Sequence, residues 1–467
     1  MKNIIIAISI ILIPIFSACE KMVEIPAPAN SITTTEIFKD STTGEYAMAG
    51  IYSKIYYPIQ GENGFGTGFL TRVLSSYTDE SAVIQGNAVT AYYNNTITST
   101  NTSNFNGIWA LIYAHIYHIN ACVDGINRST GLTTNLKNKY LAECLFLRSW
   151  LYYYLVGLYS DVPYITDIDW ESNIQRARNK VNDIYGWISA DLEKAQTMMP
   201  LDYKSTRGTR TRVNHFAISA LLSRIYLTTG NYDKCIQQAS ALLNNIPDLG
   251  LEDNLTNVFS PGSKEAILQF DMTTSRYPFN MTYEASNAIP YPESIPNTFL
   301  TTTLLHQFSA EDKRWITWID STQYEGKMYY YAKKYRIGVN NYAVNGPKSE
   351  LYTVLRLSEQ YLNRAEAKIR QNNFEGAAAD INTIRHRAGL ADTTITSVDQ
   401  GIGVLLAERQ REFFYEWGYR FFDLKRNNKL DEKLTGLKPN WRSYMQILPI
   451  PLGELQSNSL LTQNPQY

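Results

Sequence analysis

Residues 143–163, reading ECLFLRSWLYYYLVGLYSDVP, are apolar almost throughout, broken early only by Glu143, Arg148 and Ser149. A helix apolar nearly all round has to be buried, and the residue before a proline is pushed out of helical geometry. The pattern therefore predicts a central buried helix halted at Asp161-Val162-Pro163. Ahead of it, Trp109, Tyr113, Ile116 and Asn120 fall at i, i+4, i+7 and i+11, a stripe that predicts a core-facing helix. Helical spacing recurs in two further places. Ala217, Ala220, Leu221, Arg224, Ile225 and Leu227 mark one face, Gly230 fits a stop, and Tyr232, Cys235, Ile236, Ala239, Leu242 and Leu243 mark a second helix. Tyr361, Leu362, Ala365 and Ile369 precede a polar turn at Gln371 to Asn373, after which Phe374, Ala377, Ala378, Ile381, Ile384 and Ala388 recur before Gly389. Between 246 and 350 the pattern changes to short β-like runs, Ala266 to Met272 and Met328 to Tyr335, amid Pro, Asn, Ser and Gly.

Small residues and short turns make the two helix pairs resemble tetratricopeptide-type hairpins, but no regular 34-residue period links them, so they are repeat-like and not a solenoid array. The fold class expected is mostly α: a helical-hairpin scaffold carrying a loop-rich insertion with short strands. Loops as long as those of 246–350 are usually functional in a compact domain.

The N-terminus carries Lys2, an apolar run from Ile4 to Ala18 interrupted by Pro14, and then Cys19. That run is too short to span a bilayer, which needs about 20 residues, and has the layout of a cleaved export signal. Ser17-Ala18 before a cysteine reads as a lipobox, which makes residues 1–18 a lipoprotein signal peptide and Cys19 the lipid attachment site. Acyl chains anchor because each buried methylene contributes about 0.8 kcal/mol. Residues 19–35, with Pro26, Pro28 and a threonine cluster, read as the lipidated cysteine and its tether, leaving 36–467 as one domain. The other cysteines, Cys122, Cys144 and Cys235, sit at helical spacing among Ala, Leu and Ile; an odd count is no disulfide framework, and a Cys122–Cys144 bridge is left open. A net charge of −1 removes the electrostatic case for a nucleic-acid partner. The 34 Tyr, 8 Trp and 17 Phe supply many rings with an apolar face.

The string 143–163, with its Glu, Leu-Phe-Leu-Arg, Trp, Tyr/Leu run and Asp-Val-Pro, resembles the signature helix of SusD/RagB proteins, nutrient-binding lipoproteins of the Bacteroidota cell surface. Four later blocks extend the resemblance in order: 217–235, 355–390, 405–427 with its Phe-Asp-Leu-Lys-Arg segment, and the tail from Leu448 through LPIP and Glu454 to QNPQY. Ser149 and Cys235 stand where the family has alanine, and Ser160 where it has glycine. The resemblance implies a SusD-like fold and a non-catalytic outer-membrane receptor facing the cell exterior. It also implies a SusC-like TonB-dependent β-barrel partner, over which the protein sits as a lid and into which it delivers nutrient oligomers. Oligosaccharides are the expected cargo and peptides the alternative; a surface glycoside hydrolase and a purely structural interaction protein are the readings from other classes.

A sugar-binding surface needs flat apolar faces for C–H groups, with amides or acids for hydroxyls. Tyr92, Tyr93 and Asn94 open an Asn/Thr/Ser-rich loop running to Asn106, shortly after Thr78-Asp79-Glu80, and the resemblance places ligand contacts on such a loop. The bland alternative is that the two tyrosines only close the loop base. Tyr283, Tyr291, Trp315 and Tyr324 in the insertion are the second group, with Trp315 open to a buried role after Asp312-Lys313-Arg314. Other motifs carry less. His115 and His118 stand three apart without a second ligand pair, so no metal is expected. GENGFGTG, 61–68, lacks the Lys-Ser/Thr of a phosphate cradle and reads as a surface loop. Glu408, Arg409, Arg411, Glu412, Glu416, Arg420 and Asp423 alternate acid and base on one helix, which fits ion pairing along it better than two carboxyls across a cleft. No cofactor motif is present.

Overall fold

A computed structural model describes residues 37–56, 68–86, 89–101, 107–203, 208–244, 246–271 and 279–467. The export signal, Cys19, the tether and most of the glycine loop lie outside the described residues. The chain opens with α1 (Ser41–Tyr56), α2 (Leu70–Tyr77), β1 (Ser81–Val83) and α3 (Thr90–Tyr93). The long helices α4 (Ile108–Arg128) and α5 (Thr134–Tyr159) follow, then α6 (Trp170–Asn173), α7 (Val181–Met198), α8 (His215–Thr228) and α9 (Tyr232–Leu243). The insertion supplies β2 (Ala266–Phe270), α10 (Tyr283–Ala288), β3 (Thr298–Leu300), α11 (Thr302–Leu305), α12 (Lys313–Trp318), β4 (Ile319–Tyr324) and β5 (Lys327–Ala332). The chain closes with β6 (Tyr352–Arg356), α13 (Leu357–Arg370), α14 (Phe374–Arg387), α15 (Val398–Phe413), α16 (Tyr419–Arg426), α17 (Leu430–Leu434) and α18 (Leu452–Ser457). Mostly helical architecture, with short strands confined largely to the insertion, is what the hydrophobic pattern predicts. None of the described helices is long and apolar enough to cross a membrane.

Helix α5 is the spine. Every residue from Ala142 to Tyr159 is buried. Its three polar interruptions each find partners: Tyr52 Oη (2.7 Å) and Arg212 Nε (2.8 Å) donate to Glu143, Arg148 donates to Asn120 (3.0 Å) and Asp191 (2.7 Å), and Ser149 Oγ donates to the Ile188 carbonyl (3.4 Å). The helix stops at Ser160, whose φ of 66° lies in the region that favours glycine, ahead of the proline turn. Around this spine the helices form a row in which α5 packs on α7, α7 on α8, α8 on α9, α9 on α13 and α13 on α14.

The two hairpin turns repeat one device. In each, a residue at positive φ ends the first helix, Gly230 (φ 75°) or Asn372 (φ 61°). The next asparagine then caps the second helix, Asn231 accepting from Lys234 N (3.3 Å) and Asn373 from Gly376 N (3.0 Å).

A buried charge network fastens the insertion to this scaffold. Arg314 of α12 grips Asp312 through two nitrogens (2.9 and 2.8 Å) and also reaches Glu408 (2.7 Å) and Glu412 (3.0 Å) of α15. Arg356 at the end of β6 pairs with Glu265 (2.9 Å), Glu412 and Glu416 (2.9 Å), and Lys334 also pairs with Glu416. The arginines hold Glu412 well below the usual carboxylate range against its burial. This corrects the expectation of pairing along one helix: apart from Glu408–Arg411, the α15 ions are bonded to other elements. Cys122, Cys144 and Cys235 are free thiols, so the Cys122–Cys144 bridge is absent.

Candidate functional site

The insertion builds a small β-surface beside α2 and α3. β1 pairs antiparallel with β3, placing Ala82 opposite Phe299, and β3 lies against the β4–β5 hairpin, where Phe299 meets Tyr329 edge to face at 5.1 Å. Within the hairpin Tyr324 stands opposite Lys327 and Thr322 opposite Tyr329. Directly opposed residues share a face and neighbours along a strand alternate. Tyr324, Lys327, Thr322 and Tyr329 therefore line one side, with the Lys327 ammonium 5.0 Å from the Tyr329 ring centre. Phe299, Tyr324 and Tyr329 are half-buried and Lys327 is exposed, giving an open platform of three rings edged by a hydroxyl and an ammonium. Sequence reading missed Phe299 and Tyr329. The signal was the tyrosine-rich run from Lys327 to Ala332 following 319–324, whose faces are fixed once the turn at Glu325-Gly326, both at positive φ, is recognised.

The seven residues singled out from sequence are not brought into one cavity. Tyr92 is a correction: it is only 2% exposed and packs its ring against Tyr77 at 6.4 Å, because α3 is pressed onto α2 and leaves that side no solvent. Tyr93 is half-buried, and the Lys438 ammonium lies 4.1 Å from its ring centre while donating to the carbonyls of Ser76 (2.7 Å) and Tyr93 (3.0 Å). Burial pushes that lysine down to about 8. Asn94 ends α3, and its carbonyl accepts from Asn440 Nδ2 (2.9 Å). Tyr283 opens α10 and packs its ring partly into the core. Tyr291 is 60% exposed in the turn before β3. Trp315 packs at a tilt against Phe308 (6.1 Å) and Tyr330 (5.7 Å), and Tyr330 alternates away from Tyr329. Trp315 thus lies behind the hairpin, on the side opposite Tyr324.

The acidic residues near α3 are structural. Asp79 is held by two nitrogens of Arg420 (2.9 and 2.7 Å) below the usual carboxylate range despite burial. Glu80 is buried, which raises it to about 8, and accepts from Tyr415 N (3.3 Å). Among the described residues no group of three or more His, Cys, Asp or Glu is arranged to hold a metal ion.

The structure is thus a row of helical hairpins bearing a strand-and-loop face with an open aromatic platform. The chain belongs to the SusD/RagB family. Residues 30–227 match the SusD-like model described as starch-binding, associating with the outer membrane, and residues 315–467 match the SusD family model. SusD-like protein P2 of Formosa agariphila is 28% identical over 422 residues, covering 78% of this chain and 81% of that protein. Among solved structures, a SusD superfamily protein of Bacteroides vulgatus superposes with a TM-score of 0.78 at 20% identity, covering 92% of this chain and all of that one. Surface glycan-binding protein A of Bacteroides thetaiotaomicron, solved in complex with laminarihexaose, superposes with a TM-score of 0.74 at 18% identity, covering 91% of this chain and 99% of that one. The family is non-catalytic, and the chain is accordingly not an enzyme.

Proposed function

We propose that the protein is a surface lipoprotein that captures oligosaccharides on the insertion face and passes them to a SusC-like TonB-dependent barrel in the outer membrane. The observation that carries the ligand side is the platform of Phe299, Tyr324 and Tyr329, whose ring faces suit the C–H side of a sugar while Thr322 and Lys327 offer hydroxyl partners. The laminarihexaose bound by a protein of the same fold supports a glycan as cargo. Ser17-Ala18-Cys19 supports lipid anchoring, with the anchor reaching the domain through the tether. A receptor that hands cargo on needs moderate affinity, since tight binding is mostly slow release.

Replacing Tyr324 and Tyr329 together by alanine tests the assignment. Affinity for a glycan that binds the wild type should fall by roughly ten-fold or more, the scale of two lost ring contacts. Unchanged affinity would remove the platform from the site. Co-purification of a β-barrel transporter with the membrane-anchored protein, lost on Cys19→Ala, tests the partner and the anchor.

A further inference from the structure

A concave cleft of about 250 Å³ lies on different elements, between α4, the segment after α5, α6 and α18. The stripe on α4 that predicts a core-facing helix forms its floor: Trp109 and Ile116 are buried, but Tyr113 is half-open and Tyr117, beside Ile116 and off the stripe, is 50% exposed. Trp170 stands on the rim, 65% exposed on a four-residue helix. The walls are fixed: Tyr113 Oη donates to the Pro163 carbonyl (2.7 Å), Asn120 to the Ile165 carbonyl (3.1 Å) and Asn458 Nδ2 to the Arg176 carbonyl (2.9 Å).

One acceptor points to the kind of ligand. Glu454 in α18 is half-buried at the cleft and takes the Trp109 indole N–H, which leaves its carboxylate with further lone pairs for a ligand hydroxyl. Among the described residues lining the cleft there is no lysine or arginine to neutralise an anionic sugar. Aliphatic walls, Ile165, Ile174 and Leu461, share the lining with the rings, unlike a cage of ring faces around a cation. The volume suits one ring with its substituents, being below the roughly 300–1,000 Å³ of clefts for drug-sized ligands.

We infer that this cleft is a second saccharide site, holding one neutral pyranose against Trp170 and Tyr117 with a hydroxyl donating to Glu454. The inference rests on the glycan-binding reading but not on the insertion platform. The mature protein is titrated calorimetrically with cellotriose, laminaritriose, maltotriose, mannotriose and xylotriose, alongside Trp170→Ala, Glu454→Gln and the Tyr324/Tyr329 double alanine variant. Glutamine keeps an acceptor for the Trp109 N–H, and Trp170 is exposed, so both cleft variants are expected to fold. One or more of the trisaccharides should fill two sites, one weakened about ten-fold by Trp170→Ala and also weakened by Glu454→Gln, while the double variant weakens only the other. Binding unmoved by both cleft variants overturns the second site and leaves the receptor reading intact. Tetramethylammonium binding that Glu454→Gln abolishes, with no sugar effect, overturns it in favour of a cation. Absence of binding by all five sugars overturns it too, and the proposed function is then judged separately by longer glycans.

Discussion

Ser160 shows how a single position departs from its context. Its φ of 66° and ψ of −128° suit glycine, which the family resemblance places there, and no side-chain bond is needed to close the turn because Ser160 N already donates to the Val156 carbonyl (2.9 Å). Ser160→Gly should therefore stabilise the protein by about 1 kcal/mol, relief of backbone strain outweighing the entropy gained by the unfolded chain; urea denaturation reads it as a higher midpoint at unchanged slope. Glu284 is a second exception, a buried carboxyl in α10 that accepts from Thr71 Oγ (2.9 Å) and Tyr352 Oη. Burial raises it from 4.5 to about 8. The folded state thus holds a proton that the unfolded chain releases, and the contribution is full below the unfolded value and is lost as pH rises toward and through 8. Glu284→Gln retains an acceptor and cannot ionise. Its melting temperature relative to wild type should climb between pH 5 and pH 8.5; a constant difference would show that Glu284 does not titrate in that window.

At the scale of elements, the helices were legible and the strand face was not. The 3.6-residue period marks the hairpin helices α8, α9, α13 and α14 because each buries one stripe against a neighbour, and α5 is legible as a helix buried on all sides. The β-like runs located β2 and β5, but pairing β1 with β3 joins residues more than 200 apart, a register that local pattern does not contain. For the same reason Tyr92 looked exposed, since nothing local shows that α3 presses onto α2, and the α15 charges looked self-paired when their partners lie on α12, β6 and α14. That network predicts its own weak point. Glu412 is fully buried and receives Arg314, Arg356 and Arg387, so Glu412→Gln strands guanidinium charge in the interior. A loss of about 3–5 kcal/mol is expected, as when one partner of a buried pair is removed. Denaturant unfolding checks it, and a loss below about 1 kcal/mol would mean that water enters and solvates the cluster.

Over the whole molecule, the helical row and the insertion divide the work. Apolar packing continuous through the described elements makes a rigid support, and the charge network fixes the insertion on it so that a platform of partly exposed rings is held without a closed pocket. An open surface of this kind suits an extended polymer, which can be bound along its length and slid onward, better than a small molecule. Glycoside hydrolysis uses two carboxyls across a cleft, whereas Glu408, Glu412 and Glu416 are buried among cations. The most direct test of the account is native gel retardation of the protein from Ser31 onward through gels holding plant, host and microbial polysaccharides, with reducing ends assayed in parallel. Retardation by at least one neutral polysaccharide, lessened by Tyr324→Ala/Tyr329→Ala and without new reducing ends, is the expected result. Retardation by none of them, together with capture of peptides, would contradict a glycan receptor, and release of reducing ends would contradict a protein that binds without catalysis.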